Sequence, residues 1–305
     1  MSNQKFLIVI GGATATGKTA LGIRLAQHFE TEIISCDSRQ FYKEMNIGTA
    51  KPDEEELAAA PHHFVGHLSI QDNYSVGDFE RDGLQLLDQL YLKKDIVIMV
   101  GGSGLFIRAL CEGLDQFPDI SPTTKKEVQA LYEKEGIEGL QKQLETTDPI
   151  YFKKVDQQNP VRLLRALNVI KESGKPFSSF QNQKKIPRNF TTIYINLSMD
   201  REMLYERINH RVDSMMAAGL LDEVQALIRF KNLNSLKTVG YQEFMDYFDK
   251  KISLEEAVEL VKRNSRRYAK RQMTWFRKGE DWRAFGKEDW EEILEYVEGS
   301  IKKNN

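Results

Sequence analysis

The segment Gly12-Ala-Thr-Ala-Thr-Gly-Lys-Thr19 constrains this chain more than any other. It matches the pattern G-x-x-x-x-G-K-[ST], which carries meaning only between a strand and a helix. Both flanks are present. Phe6–Ile10 is a continuous apolar run of the kind buried in parallel sheets, and Lys18–Glu30 places Leu21, Ile23, Leu25, Ala26 and Phe29 at helical spacing. In that setting glycines let backbone N–H groups converge on phosphate oxygens, while the helix N-terminus adds a positive dipole. Gly12, Ala13, Thr14, Ala15, Thr16, Gly17, Lys18 and Thr19 are therefore read as a diphosphate-binding set. Lys18 supplies a full charge, and the Thr19 hydroxyl is the expected Mg²⁺ ligand. The chain is expected to bind a di- or triphosphate. ATP or GTP is the default for such a loop, but the loop does not specify the reaction.

The remaining pattern is that of an α/β protein. Apolar runs at Glu32–Cys36, Asp95–Val100 and Thr192–Leu197 predict further strands, and Asp78–Leu92 predicts a helix with Phe79, Leu86, Leu87 and Leu90 on its apolar face. Strands alternating with helices imply a parallel sheet covered on both faces, as in P-loop NTPase-like folds. Residues 115–190 break the alternation and read as an inserted all-helical domain, closed by the polar run Gln181–Arg188. The catalytic core is then 1–114 with 191–305, and after Asp200 the chain reads as almost wholly helical.

Composition excludes several classes. The 305 residues carry 43 Lys+Arg against 45 Asp+Glu, and 41% hydrophobic residues is too apolar for a disordered chain. No run approaches the roughly 20 apolar residues of a membrane helix, and Phe6–Ile10 is too short for a signal-peptide core. Cys36 and Cys111 have no metal-ligand spacing, which fits a reducing cytoplasm. The balanced charge conceals a local excess: Lys262 to Lys278 contains eight basic residues and no acidic one. Arg263, Arg267 and Lys270 fall on one flank of that predicted helix, and Val261, Tyr268 and Trp275 on another. This predicts a basic stripe facing outward, suited to phosphate backbone, and an apolar stripe for packing.

Two more segments bear on chemistry. Asp37-Ser38-Arg39-Gln40 follows the second strand, at the carboxyl end of the sheet where doubly wound folds bind ligands. Asp37 can be a helix N-cap, a Mg²⁺ ligand or a general base. The strand ending at Val100 runs into Gly101-Gly-Ser-Gly-Leu-Phe106, without the carboxylate that a kinase-like ATPase usually places there. It reads as either a second close approach of backbone to ligand or a tight turn before a helix.

Together these segments resemble the tRNA dimethylallyltransferase family. The resemblance rests on the phosphate loop, on Asp37-Ser-Arg-Gln-Phe-Tyr42 running on to Asn46-Ile-Gly-Thr-Ala-Lys-Pro52, and on Gly101–Phe106. It continues through Arg162-Leu-Leu-Arg165-Ala-Leu, Arg207-x-x-x-Arg211, Val239-Gly-Tyr241 and Lys270-Arg-Gln-Met-Thr-Trp275, in family order over nearly the whole chain. It implies transfer of a dimethylallyl group from dimethylallyl diphosphate to N6 of the adenosine 3′ of the tRNA anticodon, with Mg²⁺ assistance and release of diphosphate. An exocyclic adenine amine is a poor nucleophile, and a carboxylate that takes its proton is worth about 10²–10⁴ in rate. Asp37 is the candidate. Lys18, Thr19 with Mg²⁺, the loop amides and Arg211 would stabilise the departing diphosphate, and Arg207 shares a helix face with Arg211.

The resemblance further implies contacts to the anticodon stem-loop. These comprise Asp37, Ser38, Arg39, Gln40 and Ser103 in the core, then Lys125, Val161, Arg162, Leu163, Leu164 and Arg165 in the insertion, then Lys237, Gly240, Tyr241 and Gln242. A flipped adenine would reach Asp37 from a loop already single-stranded. Departures from the family pattern are Ala13 where proline is common, Thr16 and Ser103 where serine and threonine are common, and Val161 where some members have glutamine. The zinc finger of some eukaryotic members has no counterpart Cys/His cluster before Asn305. A monomer is expected. Two other readings compete: an ATP-dependent small-molecule phosphotransferase with Asp37 activating a hydroxyl, and a nucleotide-controlled RNA-binding switch without bond-forming chemistry.

Overall fold

In the computed structural model the described residues are 4–181, 186–279 and 281–304, so residues 182–185 of the polar run lie outside them. The chain divides into two compact units, one of residues 1–112 with 187–305 and the other of residues 113–186.

The first unit is built on six parallel strands in the order β3-β2-β4-β1-β5-β6. In chain order it begins β1 (Phe6–Gly12), α1 (Lys18–His28), β2 (Ile33–Ser35), α2 (Glu54–Ala59), β3 (His62–His63), α3 (Val76–Leu90), β4 (Ile96–Val100) and α4 (Gly104–Glu112). The period of two along β1 decides what covers each face. Phe6, Ile8 and Ile10 pack with Leu21 and Leu25 of α1, while Leu7 and Val9 point the other way, toward Phe79 and Leu87 of α3 and Ile107 and Leu110 of α4.

The second unit holds α5 (Pro122–Thr147), α6 (Pro149–Phe152) and α7 (Pro160–Ser173). α5 is interrupted at Gly136 (φ 66°), and α7 ends on Gly174 (φ 69°), left-handed conformations that glycine adopts without strain. Leu140 and Leu144 of α5 pack against Leu163, Ala166 and Leu167 of α7. Buried Asp148 accepts hydrogen bonds from Tyr151 N (3.0 Å), Ser178 N (2.6 Å) and Ser178 Oγ (2.8 Å), which fixes both flanking turns.

The first unit resumes with β5 (Thr191–Leu197), α8 (Arg201–Ala217), α9 (Leu220–Ala226), α10 (Gln242–Phe248), α11 (Leu254–Lys278), β6 (Arg283–Phe285) and α12 (Trp290–Asn304). Ile293 and Val297 of α12 complete the face that carries α1. The stretch after Asp200 is thus not wholly helical. β6 is a three-residue edge strand with only Phe285 buried, and β3 is shorter still, so neither leaves a periodic signal. The stripe expected on α11 also shifts. Val261 is buried as expected, together with Ala257, Ala269, Gln272 and Phe276, but Trp275 is 41% exposed. A seven-residue repeat drifts by about 20° per heptad around a straight helix, enough to carry Trp275 off the buried side. Among the described residues no helix is long and apolar enough to cross a membrane.

The segment Asn46–Pro52, with no regular structure of its own, is held by side chains. Glu223 of α9 accepts from the backbone N–H groups of Asn46 (2.9 Å), Ile47 (2.8 Å) and Gly48 (3.0 Å) and from the Tyr241 hydroxyl (2.7 Å). Lys51 Nζ donates to the Tyr42 carbonyl (2.7 Å) and Asn46 Oδ1 (2.7 Å). A carboxylate serving several backbone donors is a strong anchor. Glu223→Ala should lower the unfolding free energy by about 2–3 kcal/mol, readable as a shifted denaturant midpoint; a midpoint equal to wild type would show that the segment is held otherwise.

Candidate functional site

The phosphate loop lies between β1 and α1. Gly17, at φ 99°, starts α1 in a left-handed conformation, and no side chain caps the helix among the described residues. Its first N–H groups are therefore left for an anion. Ala13 packs with Leu204 and Ile208 of α8 and Ala269 of α11, which sets the loop against the helical layer. Thr14 N–H, however, is not directed at a ligand: it donates to Gln272 Oε1 (2.9 Å), and Gln272 Nε2 donates to the Gly102 carbonyl (3.0 Å). Thr16 Oγ1 donates to the Ala13 carbonyl (2.9 Å) and is buried. Of the loop residues, Thr14, Ala15, Gly17, Lys18 and Thr19 line a cavity of about 330 Å³, together with Asp37, Gly101, Arg207, Arg211 and Tyr268.

Four cations line this cavity, Lys18, Lys51, Arg207 and Arg211. Lys18 Nζ donates to the Ala13 carbonyl (2.6 Å), Arg207 Nε to the Ala15 carbonyl (2.9 Å), and Arg211 Nη1 reaches Thr14 Oγ1 (3.4 Å). Burial lowers the Lys18 ammonium to about 8, Asp37 opposes that shift, and Arg211 adds to it. Burial likewise holds Arg211 below the usual guanidinium range, again opposed by Asp37. Desolvated like charges around uncapped helix amides form a site for a polyanion, which would restore to each cation the stabilisation lost from water.

Asp37 sits two residues past β2. Its Oδ1 accepts from Arg39 N (3.0 Å), and the residues that follow form a turn, so it caps no helix. It lines the loop cavity and also a second cavity of about 400 Å³, bounded by Ser38, Arg39, Lys237, Gly240, Gln242 and Arg271. Thr14, Thr49, Arg211 and Tyr268 are likewise common to both. Tyr268, from α11, is pushed up to about 12 by burial first and by Asp37 second, and Ser103 hydrogen-bonds to its hydroxyl. Ser38 N in turn approaches Ser103 Oγ (3.4 Å). The Gly101–Gly104 turn admits protein neighbours: a Cβ would fall 2.2 Å from the Cys36 carbonyl at Gly101, 2.2 Å from Gln272 Nε2 at Gly102 and 2.0 Å from the Trp275 indole at Gly104.

The expected acceptor-contact residues divide by position. Asp37, Ser38, Arg39, Lys237, Gly240 and Gln242 line the second cavity. Arg39 is tethered through Nη1 to the Asn234 (3.3 Å) and Ser235 (3.0 Å) carbonyls. Gln40 does not reach the second cavity: its Nε2 donates to the Thr49 (3.3 Å) and Ala50 (3.0 Å) carbonyls, so its amide serves the loop beneath. Tyr241 is corrected outright, because its side chain is fully buried and bonded to Glu223. In the helical unit Lys125, Val161, Arg162 and Arg165 are exposed and Leu164 is half-buried, whereas Leu163 points into the core and offers no surface. Both errors have one cause, since a motif marks neighbours in sequence while helix and turn geometry turns alternate side chains inward. Of Gln272, Tyr268 and Glu223, only Tyr268 was singled out from sequence, and there as a packing residue. The first two lie in or beside the basic stretch of α11, where charge masks a buried polar position, and Glu223 has no local signal.

A magnesium ion fits the donor set. Among the described residues no group of three or more His, Cys, Asp or Glu could hold a metal ion alone. Mg²⁺ instead keeps waters and shares one or two protein oxygens with substrate phosphates, and the Thr19 hydroxyl and Asp37 carboxylate both line the loop cavity. Because burial lowers the Lys18 ammonium to about 8 and diphosphate favours the charged amine, affinity for inorganic diphosphate should fall above pH 8 by up to about tenfold per unit relative to Lys18→Met, in which only the diphosphate's own protonation varies. Titration calorimetry across pH 6.5–9.5 checks this, and Lys18→Met should remove the alkaline limb; an unchanged limb in that variant would take Lys18 out of the anion site.

Comparison with known proteins places this geometry among relatives. The IPP transferase family model matches residues 40–279. Proteins named tRNA dimethylallyltransferase from Christiangramia forsetii and Flavobacterium johnsoniae are 54% and 50% identical, each covering 99% of this chain and 99% and 100% of the relative. The solved tRNA isopentenylpyrophosphate transferase of Bacillus halodurans is 33% identical with a TM-score of 0.74, covering 98% of both chains. A eukaryotic dimethylallyltransferase acting on tRNA is 26% identical with a TM-score of 0.82, covering 99% of this chain and 80% of that one.

Proposed function

The chain belongs to the IPP transferase family and is an enzyme with a P-loop NTPase-like fold, and from that premise we propose how its site works. It transfers the dimethylallyl group of dimethylallyl diphosphate to N6 of the adenosine 3′ of the anticodon in tRNA. The relatives' names agree with this reading and not with an ATP-dependent phosphotransferase.

The observation that carries the mechanism is the pair of cavities with Asp37 between them. One is cationic and built on the phosphate loop, suited to a diphosphate ester. The other opens toward Ser38, Lys237 and Arg271, suited to an unstacked nucleotide with its phosphates. The N6 lone pair attacks C1 of the dimethylallyl group, the C1–O bond breaks, and its electrons leave with the diphosphate. The N6 proton passes to Asp37. Lys18 and Arg211 stabilise the charge growing on the leaving group, in surroundings where burial has already removed competing water. Thr19 would hold Mg²⁺ against the diphosphate oxygens; when bound, the ion neutralises part of their charge. Tyr268, protonated at working pH, and Ser103 line up beside Asp37 to orient the acceptor. Arg207, exposed but bonded to the loop at Ala15, supports the loop's shape. A monomer acting in the cytoplasm completes the proposal.

Purified protein with Mg²⁺ and unmodified tRNA, divided between dimethylallyl diphosphate and ATP, should yield a dimethylallyl adduct on adenosine only with the prenyl donor, detected by nucleoside mass analysis. ATP turnover without adduct would reverse the assignment. Asp37→Asn should lower the transfer rate by about 10²–10⁴ while donor affinity stays equal or tightens, because the substitution removes a negative charge facing Lys18 and Arg211. Near-normal turnover in that variant would remove Asp37 from the role of base.

A further inference from the structure

One buried face of α11 lies against β1 and the phosphate loop. Ala269 packs with Ala13 of the loop, and Phe276 fills the space over Gly11, where a Cβ would fall 2.5 Å from its ring. Gln272 stands on the same face, three residues from one and four from the other, and is 5% exposed. With apolar neighbours on both sides, a leucine or methionine would sit there without penalty. A buried amide persists in such a place only when its polar atoms are paired.

Both ends of this amide are paired, and with backbone on either side of the reaction site. The oxygen accepts from Thr14 N–H (2.9 Å) and the nitrogen donates to the Gly102 carbonyl (3.0 Å). Thr14 Oγ1 meets Arg211 Nη1 (3.4 Å), and the carbonyl of the preceding Ala13 holds Lys18 Nζ (2.6 Å). Gly102 precedes Ser103, whose hydroxyl approaches Ser38 N (3.4 Å) and bonds to Tyr268. One end of the fork thus leads to the groups assigned to the leaving diphosphate. The other leads to the groups assigned to orienting the acceptor. Attack of N6 on C1 needs the amine in line with the breaking C1–O bond, and a misplacement of about 1 Å can cost about 10²-fold in rate.

We propose that Gln272 is a positioning residue for the transfer. It acts through Thr14 and Gly102, holding the phosphate loop and the glycine turn at a fixed separation, and so sets the approach of N6 to C1. The proposal rests on the transfer reaction inferred above. The cations of the loop cavity and the first amides of α1 do not depend on the fork, so donor affinity survives its loss while alignment does not.

The test measures single-turnover transfer to tRNA at saturating dimethylallyl diphosphate, with the affinity for that donor taken separately by titration calorimetry. Rates are expressed per diphosphate-binding site, so unfolded protein does not enter them. Gln272→Ala should slow transfer about ten- to a hundredfold, with the donor Kd within about threefold of wild type. Gly102→Ala reaches the same contact from the other side, because its Cβ would fall 2.2 Å from Gln272 Nε2 and displace the amide. It should slow transfer to a similar degree, and the double variant should be no slower than the slower single one. A rate within about threefold of wild type in either single variant, or losses that multiply in the double variant, overturns the proposal. A loss that falls wholly on donor affinity also overturns it, since Gln272 would then support the loop alone. Wild-type protein that forms no adduct would overturn the transfer reading and this proposal together, whereas wild-type transfer with unimpaired variants overturns this proposal only.

Discussion

The buried amide of Gln272 connects elements that sequence keeps far apart. Its oxygen accepts from Thr14 in the phosphate loop, its nitrogen donates to Gly102 at the end of β4, and its backbone belongs to α11. Each of those elements contributes to the walls around Asp37. The loop brings Lys18 and Thr19, and the strand end brings Gly101 to the same cavity. α11 adds Tyr268 to both cavities and Arg271 to the second. A buried amide satisfied at both ends tolerates little movement, because breaking either bond leaves a polar atom unpaired away from water. The glycine at 102 belongs to the same constraint, since a side chain there would displace the amide.

Around this strut the electrostatics are unbalanced by design of the fold. Lys18 and Arg211 are desolvated side by side, with Asp37 opposing part of that cost. The loop cavity sets Lys18, Lys51, Arg207 and Arg211 against Asp37 and Glu56, which leaves a positive excess suited to a diphosphate. In the proposed reaction Asp37 takes the proton of the acceptor amine. Placing it between the cavities lets one group serve both halves of the reaction, and the separate anchoring of Asn46–Gly48 on Glu223 holds the intervening wall at Thr49.

Legibility varied with the range of the interaction. The phosphate loop, the strands β1, β4 and β5 and the helical insertion could be read because each is defined by residues within one window. The insertion's Arg162 and Arg165 were legible as exposed cations, but Leu163 between them faces inward, and Tyr241 is buried beside an exposed Gly240. Trp275 was assigned to packing by its spacing and instead stands over Gly104. β3 and β6 are too short for any periodic signal; each exists because a neighbouring strand offers unpaired backbone groups.

The sequence by itself determined the glycine-rich loop Gly12–Thr19 between strand and helix, the parallel α/β class, the helical insertion and the family, because these depend on local spacing and on residue order. Only the tertiary structure decided that Asp37 stands between two cavities and that Gln272 ties the loop to the glycine turn. Those facts depend on which side chains meet across separations of up to 258 residues, as for Thr14 and Gln272. Such pairings are set by packing and by the need to satisfy buried polar groups, neither of which is encoded in any single stretch of chain.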